Sequence, residues 1–233
     1  MSQSLGVFEG LSTALMFDAS VRLGLLARVA PLGLHALING SRVAGRVLPA
    51  RHYGSVDVFL EAISNSRKGD VLVIDNGGKT SEACIGDLVT LEAKASGLAG
   101  IVVWGCHRDT VELRRIRLPV FSLGQCPSAP TRVLTRPNDA LESARFGDFR
   151  ISREDVVFGD DDGLLFFSSK NLTSLVATAR KIGETERRQA IAVKKGKTLR
   201  DQLHFKEYLA KRHLDSSYTF RKHLRASGGA VEE

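Results

Sequence analysis

Long apolar runs are missing from this chain of 233 residues. No stretch approaches the roughly 20 consecutive apolar residues that a membrane-spanning helix requires, which argues against a membrane protein. The opening stretch MSQSLGVFEG has neither the basic start nor the apolar core of a secretory signal. We therefore expect a cytoplasmic protein.

Cysteine and the common cofactor motifs are equally scarce. The three cysteines are widely spaced and form no CxxC pair, which argues against a zinc ribbon or a thioredoxin-like pair. Gly78-Lys79-Thr80 is not a phosphate-binding loop, because Val73 stands where that loop requires glycine. No GxGxxG or GxSxG motif is present, and no two histidines have i, i+4 spacing. Dinucleotide, zinc and serine-hydrolase chemistries therefore have no support.

Acidic residues are too few to balance the basic ones, and the formal net charge is +7. Much of the basic excess lies after residue 180, where acidic residues are interspersed and the charges follow a helical period. Solvated helix faces explain this pattern better than a nucleic-acid-binding surface does.

Apolar runs alternate with helical stretches in the middle of the chain. The runs are typical of strands buried on both faces of a sheet, and their order predicts parallel βαβ units. The strands are predicted at Val71–Asp75, Ile101–Trp104 and Pro119–Ser122, the helices at Gly86–Ser96 and Val111–Ile116, and a polar loop at 76–82.

The flanking regions predict an antiparallel addition and a helical carboxyl-terminal region. Apolar runs at 156–158 and 164–167 enclose the acidic turn Asp160–Gly163 and predict a hairpin in a second, antiparallel sheet. Apolar residues at helical spacing predict further helices at 12–26, 57–66, 171–194, 198–213 and 217–224, and residues 42–48 alternate like a strand.

Two polar clusters follow adjacent predicted strands. Gly86-Asp87-Leu88-Val89 forms the first turn of one helix, and Arg108-Asp109 follows the next strand. Because ligands bind at the carboxyl ends of parallel strands, we expect both clusters to face one crevice.

Each cluster has a chemical use at such a crevice. Backbone N–H groups around Asp87, Leu88 and Val89 suit a small anion such as a carboxylate. Arg108 suits a carboxylate or an enolate oxygen, Asp109 is a hard ligand for Mg²⁺ or Mn²⁺, and Asp87 could hold a proton-carrying water. Taken singly, each of these residues is better explained by a structural role, since aspartates favour helix starts and Arg108 with Asp109 could be an ordinary surface pair. The spacing alone does not overturn that explanation.

The wider pattern resembles the RraA-like family. Asp87, twenty intervening residues and then Arg108-Asp109 match the D-x20-R-D signature of that family. Its members include 4-hydroxy-4-methyl-2-oxoglutarate / 4-carboxy-4-hydroxy-2-oxoadipate aldolases and the regulator of ribonuclease E activity. The resemblance covers most of residues 10–200, with similar stretches at 69–75, 97–103 and 118–121.

The resemblance implies an α/β fold that is layered β/β/α and swivelling-domain-like, with a parallel βαβ core, a second antiparallel sheet and C-terminal helices. It implies a catalytic domain at 1–200, followed by a helical extension at 201–233. It also implies a homo-oligomer, a trimer or a hexamer, whose sites lie at subunit interfaces.

The activity implied is that of a divalent-metal-dependent class II aldolase, which cleaves 4-hydroxy-2-oxo diacids through a pyruvate enolate and also decarboxylates oxaloacetate. Asp109 would bind Mg²⁺ or Mn²⁺, and Arg108 would bind the pyruvyl oxygen. The turn Gly86–Val89 would hold the substrate carboxylate on the amides of Leu88 and Val89, while Asp87 with Arg108 would position a protonating water. Glu184 or Glu186 of a neighbouring subunit is a candidate for a further acidic group. The alternative is a non-catalytic regulator that binds a ribonuclease or another protein.

The residues before Arg108 depart from the usual family pattern Asp-Gly-Ala-Val, since this chain has Trp104-Gly105-Cys106-His107. Trp104 and His107 are expected to reshape the pocket. His107 could be an added acid or base, or a packing or orienting residue. Cys84 and Cys106 are expected to be small buried residues and not nucleophiles.

Overall fold

The computed structural model describes residues 8–227 and divides the chain into two compact units. Among the described residues, the first combines 8–13 with Ala27–Leu172, and the second combines Ala14–Leu26 with 173–227. The expected domain boundary after residue 200 stays a prediction. Within residues 8–227, no helix is both long and apolar enough to span a bilayer.

Ten strands of the first unit lie within the described residues. In chain order they are β1 (Arg28–Val29), β2 (His35–Ala36), β3 (Val43–Arg51), β4 (Val71–Ile85), β5 (Gly100–His107), β6 (Val120–Ser122), β7 (Ser143–Phe146), β8 (Phe149–Ser152), β9 (Asp155–Asp160) and β10 (Gly163–Ser168). Eight strands form one mixed sheet in the order β1-β10-β9-β3-β4-β5-β6-β2, and β7 pairs with β8 separately.

Strand β3 belongs to both a parallel and an antiparallel part of the large sheet. Its residues Val43–Arg46 pair antiparallel with β9, and Val47–Arg51 pair parallel with β4. The β9–β10 hairpin closes at Asp160–Gly163, as predicted. Its placement in a second sheet is wrong, because β9 pairs with β3 of the large sheet; the separate antiparallel sheet is β7–β8. The α/β architecture with a parallel core and an antiparallel addition is therefore confirmed, and β3 is common to both parts.

Both faces of the parallel strands are buried, which explains their unbroken apolar runs. Leu72 packs in a core that includes Phe59 of α2 (Asp57–Ser64). The same core contains side chains of α3 (Asp87–Ala95) and α4 (Thr110–Ile116). Val73 points to the opposite face, into a second core that includes Phe146 of β7. Successive residues of a strand alternate between faces, so each of the first four positions of β4, Val71–Ile74, is apolar.

The polar loop predicted at 76–82 is wrong, because these residues lie within β4. Lys79 pairs with Gly105 and Ala83 with Cys106, after shifts of register relative to the earlier pairs. Gly77 and Gly78 have φ values of 65° and 70°. Bulges built on such residues absorb extra chain while the ladder continues, which polarity and glycine content alone conceal.

The second unit is helical and includes most of α1 (Thr13–Arg22) and α5 (Leu172–Lys194). The unit also contains α6 (Leu199–Gln202), α7 (Phe205–Leu214) and α8 (Phe220–Ser227), which follow α5 along the chain. The single helix predicted at 198–213 is wrong, because the chain turns at His204, whose φ is 50°. Buried His223 lies among aromatic rings and bonds the Leu203 carbonyl through Nε2 at 2.9 Å.

Candidate active site

The two polar clusters predicted from the sequence lie together at the carboxyl ends of β4 and β5. Helix α3 begins at Asp87, just beyond β4, and Arg108 directly follows β5. The Arg108 backbone N–H donates to the Ile85 carbonyl at 3.0 Å. The Asp87 backbone N–H donates to Asp109 Oδ2 at 3.3 Å. Neighbouring parallel strands thus bring residues that are distant in sequence to one edge of the sheet.

The Asp109 carboxylate stands at the centre of this cluster. Its Oδ2 lies 3.6 Å from Arg108 Nε, and the two side chains are 36% and 47% exposed. A Cβ atom added to Gly86 would lie only 2.2 Å from the same oxygen. Glycine at position 86 therefore leaves the space that the carboxylate uses.

The backbone of Asp109 is left-handed, with φ 57° and ψ 40°. This conformation costs most residues free energy, although Asp and Asn tolerate it better than others. The Asp109 carbonyl accepts from the Leu113 N–H at 2.9 Å and so starts α4. Non-glycine residues held in this region cluster at functional sites, where the surrounding structure supports the strain.

The first turn of α3 already holds a carboxylate, that of its own Asp87. The Leu88 N–H donates to Asp87 Oδ1 at 2.7 Å. Leu88 is 75% exposed, whereas Val89 is buried. A substrate carboxylate on the Leu88 amide would therefore have to displace the Asp87 side chain. The substrate-binding role of Gly86, Leu88 and Val89 stays a prediction.

Comparison with known proteins places the chain in a family. The model of the RraA-like family, described as Aldolase/RraA, matches residues 13–166. The chain belongs to the RraA-like family. It is 26% identical over 206 residues to an uncharacterized protein of Methanocaldococcus jannaschii, a match that covers 87% of this chain and 95% of that protein.

Two further relatives of this RraA-like chain differ in how far they extend. Protein DlpA of Legionella pneumophila is 30% identical over 179 residues, which make up 76% of this chain but only 29% of DlpA. The crystal structure of Streptomyces coelicolor RraAS2, described as an unusual member of the RNase ES inhibitor RraA protein family, has a TM-score of 0.68 and 25% identity. That likeness covers 78% of this chain and 93% of RraAS2. The family resemblance inferred from the sequence is confirmed.

His107, which departs from the usual valine of the RraA-like pattern, is buried between strand and helix. Its Nδ1 lies 2.7 Å from Ser122 Oγ, and its Nε2 lies 3.2 Å from Thr110 Oγ1. Burial lowers the pKa of His107, and the charge of Arg114 acts in the same direction. A neutral ring with both nitrogens engaged favours the orienting role over that of an added acid or base.

The other residues near the junctions are packed and unreactive. The Trp104 ring packs against Gly78, where an added Cβ atom would lie only 2.8 Å from the ring. The ring centroids of Trp104 and Phe146 are 6.1 Å apart. Cys84 and Cys106 are free and buried, as expected. Burial raises the pKa of both thiols, which keeps them protonated near neutral pH.

Two buried polar residues of β4, Asp75 and Asn76, were missed by the sequence reasoning. Asp75 accepts from the Gly77 N–H at 2.9 Å and from the Arg145 N–H at 3.0 Å. Asn76 Oδ1 lies 2.8 Å from His52 Nδ1, and burial lowers the pKa of His52. A carboxylate and an amide directly after an apolar run were the available signal. Burying them requires partners that the sequence does not identify.

The donor atoms at the site fit an ion of the magnesium type. Within residues 8–227 no group of three or more His, Cys, Asp or Glu side chains converges as a ligand cluster. The candidate site offers the carboxylates of Asp109 and Asp87, and Asp109 is exposed enough for water to reach it. Mg²⁺ binds through one or two carboxylates and keeps several waters, whereas structural zinc requires four protein ligands. Glu184 and Glu186 are exposed on α5, and their predicted contribution stays untested.

Proposed function

We propose that this protein is a divalent-metal-dependent lyase of the pyruvate aldolase type. It would cleave 4-hydroxy-2-oxo diacids and decarboxylate oxaloacetate, both through a pyruvate enolate. The observation that supports the proposal is the convergence of Asp87, Arg108 and Asp109 at one edge of the sheet. Membership of the RraA-like family, whose description joins aldolases with RraA, supports the same chemistry.

Asp109 would hold Mg²⁺ or Mn²⁺. The ion, when bound, supplies the Lewis acidity that polarises the pyruvyl oxygens. Arg108 would bind the keto oxygen and stabilise its negative charge in the enolate. A guanidinium has five N–H donors, so donors remain for the substrate beside the contact of Nε with Asp109.

The first turn of α3 would bind the pyruvyl carboxylate. The backbone N–H groups of Leu88 and Val89 and the positive end of the helix favour a negative charge there. In the structure the Asp87 carboxylate occupies the Leu88 amide, which supports the affinity of this turn for carboxylates. Gly86 would keep the approach open, because it has no side chain.

Asp87, displaced from the Leu88 amide by substrate, would position a water together with Arg108. In aldol cleavage that water would accept the proton of the substrate 4-hydroxyl and then deliver a proton to the methylene carbon of the enolate, which gives pyruvate. In decarboxylation the water would protonate the same carbon and regain its proton from solvent. Loss of CO₂ from oxaloacetate and cleavage of the carbon–carbon bond of a 4-hydroxy-2-oxo diacid leave the same enolate. The same residues would therefore serve both reactions.

The assembly and location belong to the proposal as well. Leu88 is 75% exposed and Arg108 is nearly half exposed, so a neighbouring subunit could cover the site. A homo-oligomer, a trimer or a hexamer, would do so, with Glu184 or Glu186 as the candidate acidic group. We also propose a cytoplasmic location.

The test is a coupled assay of pyruvate release from oxaloacetate and from several 4-hydroxy-2-oxo diacids. We expect activity with Mg²⁺ or Mn²⁺ that EDTA abolishes. Arg108→Ala and Asp109→Ala should each lower kcat/KM by about 100-fold or more, because each removes charge stabilisation at the enolate. Arg115→Ala is the matched control, since this exposed arginine pairs with Glu112 on α4. Full activity in both site variants would disprove the assignment.

A second candidate function is non-catalytic binding of a ribonuclease or another protein. The observation that favours it is the likeness to RraAS2, whose description names RNase ES inhibition. A stoichiometric complex with a purified ribonuclease, combined with no metal-dependent turnover of any oxo-acid, would support it. Turnover that depends on Arg108 would support the lyase instead.

A further inference from the structure

We propose that His107 is a positioning residue that fixes the Arg108–Asp109 turn in the geometry that the site requires. The inference rests on the proposed function and names a residue that the resemblance does not supply, because the usual family residue at this position is valine. Valine could make neither of the hydrogen bonds described for the histidine ring. This chain therefore has a polar link where a merely apolar contact is usual.

The imidazole ring of His107 links three elements of the first unit. His107 is the last residue of β5, and its ring lies between Ser122, at the end of β6, and Thr110, the first residue of α4. The bonds at Nδ1 and Nε2 are 2.7 and 3.2 Å long. Ser122 Oγ is itself held by the Gly124 N–H at 3.2 Å. The start of α4 is thus tied to the rigid sheet.

The strained residue of the site lies inside this link. Asp109 stands between His107 and Thr110 in the chain, and its backbone has the left-handed φ of 57°. Such a conformation persists only where the surrounding structure holds it. The Leu113 N–H holds the Asp109 carbonyl from one side, and the ring holds the next residue, Thr110, from the other. Losing the ring would let the turn relax and the carboxylate move away from Arg108.

Burial separates this role from catalysis. His107 is 2% exposed, and both of its ring nitrogens already have partners. The ring therefore has no nitrogen to offer a substrate at the open edge of the sheet. His107 acts through Thr110 and the backbone of the turn.

Two substitutions of His107 test its two hydrogen bonds separately. The amide of asparagine reaches the place of Nδ1, whereas the longer glutamine reaches that of Nε2. His107→Gln should keep the bond to Thr110 and remain close to the parent protein. His107→Asn should keep the hydrogen bond to Ser122 but lose the one to Thr110. Thr110→Val removes the hydroxyl group while keeping the shape of the side chain. We expect His107→Asn and Thr110→Val to bind Mn²⁺ about 10-fold more weakly, as loss of outer-shell support does elsewhere.

The readout is the Mn²⁺ dissociation constant of the full chain, from the electron paramagnetic resonance signal of free Mn²⁺. KM and kcat for oxaloacetate are measured beside it, and a moved carboxylate should lower kcat more than it raises KM. His223→Asn is the matched control, because this histidine is also 2% exposed and would lose its Nε2 bond to Leu203, but it lies in the helical unit. It should lower the melting temperature without changing Mn²⁺ affinity.

The outcomes separate the inference from the proposed function. Unchanged Mn²⁺ affinity and kcat in folded His107→Asn and Thr110→Val would overturn the positioning role. If His107→Asn does not fold, Thr110→Val decides alone, since it keeps the ring and the core. A parent protein that neither binds Mn²⁺ nor releases pyruvate would overturn the lyase assignment instead.

Discussion

The two strand-to-helix junctions of the candidate site differ in what they contribute, which is open space at one and charged side chains at the other. At the β4–α3 junction, Gly86 is extended and has no side chain, so the junction provides space and backbone donors. At the β5–α4 junction, Arg108 and Asp109 provide the charged side chains, and Asp109 is held in a strained conformation. The second junction is also anchored to the sheet through His107.

The second junction therefore holds charged side chains in fixed positions, and the first leaves room for a ligand. A site that binds an anion beside a cation requires charges fixed in place and room for the ligand. Two hydrogen bonds join the junctions directly, from the Asp87 N–H to Asp109 Oδ2 at 3.3 Å and from the Arg108 N–H to the Ile85 carbonyl at 3.0 Å. Substitutions that fill the first junction or relax the second should therefore have distinct signatures.

The largest effect is expected from filling the first junction with Gly86→Ala. The φ of Gly86 is −143°, which alanine adopts without strain, so folding should be preserved. The new Cβ would meet Asp109 Oδ2, 2.2 Å away in the present geometry, and displace the carboxylate. We expect kcat/KM for oxaloacetate to fall by about 100-fold, the effect of misplacing a reacting group by about 1 Å.

Gly183→Ala is the matched control for this substitution, because its Cβ would meet only the end of the Leu15 side chain on α1. Activity in this control should be unchanged. Parent-like activity of Gly86→Ala would mean that the first junction is not needed as open space.

An intermediate effect is expected from pH, because the buried His107 and the partly buried His52 lie at the ends of β5 and β3. Burial lowers the pKa of His107 and of His52, whose hydrogen bond to Asn76 opposes the shift. In the unfolded chain both titrate near the ordinary value of about 6.5, so below that pH the unfolded state binds more protons. The free energy of unfolding should be highest above this pH and fall below it, by at most about 1.4 kcal/mol per pH unit for each histidine.

Urea unfolding at a series of pH values measures the slope of the free energy of unfolding against pH. His107→Gln removes one titrating group and should flatten it, whereas replacement of the exposed His213 should not. An identical slope in the parent protein and His107→Gln would show that the second junction does not contribute to the pH dependence.

The smallest effect on the free energy of unfolding is expected from relaxing the second junction with Asp109→Gly. Glycine adopts the left-handed conformation without the steric cost of about 1–2 kcal/mol, but it loses about 0.5–1 kcal/mol more conformational entropy on folding. The free energy of unfolding should therefore rise by about 1 kcal/mol or less, while Mn²⁺ binding is lost.

Arg117→Gly makes the comparison quantitative, because Arg117 also has a left-handed φ, 58°, but lies outside the site. It should gain similar stability in urea unfolding and keep the Mn²⁺ affinity of the parent. A loss of stability in Asp109→Gly would mean that contacts of the carboxylate outweigh the strain.

Local patterns were sufficient to predict the parallel core and the hairpin. Apolar runs such as Val71–Ile74 reveal burial on both faces, and the turn at Asp160–Gly163 is readable from its own residues. The predictions were wrong where strand pairing or a left-handed backbone, and not local composition, determines the structure. Residues 76–82 are polar and contain glycine, yet they lie within β4, and Lys79 pairs with Gly105 of β5 between two shifts of register. A left-handed residue at His204 ends a helix that the apolar period would continue.

The site was predictable as a set of residues but not as a geometry. Parallel strands bring Asp87 and Asp109 to one edge by topology, which the sequence can anticipate. The left-handed backbone of Asp109 and the two bonds of His107 depend on contacts with β6 and α4, whose distances no spacing encodes. Even the Leu88 amide, expected to be free, is occupied by the neighbouring Asp87 side chain.

The double pairing of β3 has a consequence during synthesis. Strands β3 to β6 leave the ribosome before residues 155–160, which form the antiparallel partner of Val43–Arg46. Until then that half of β3 presents open N–H and C=O groups, the kind of edge that recruits other chains. The late hairpin therefore protects the nascent protein from association. A fragment that stops between β6 and β9 should aggregate although its parallel core is complete.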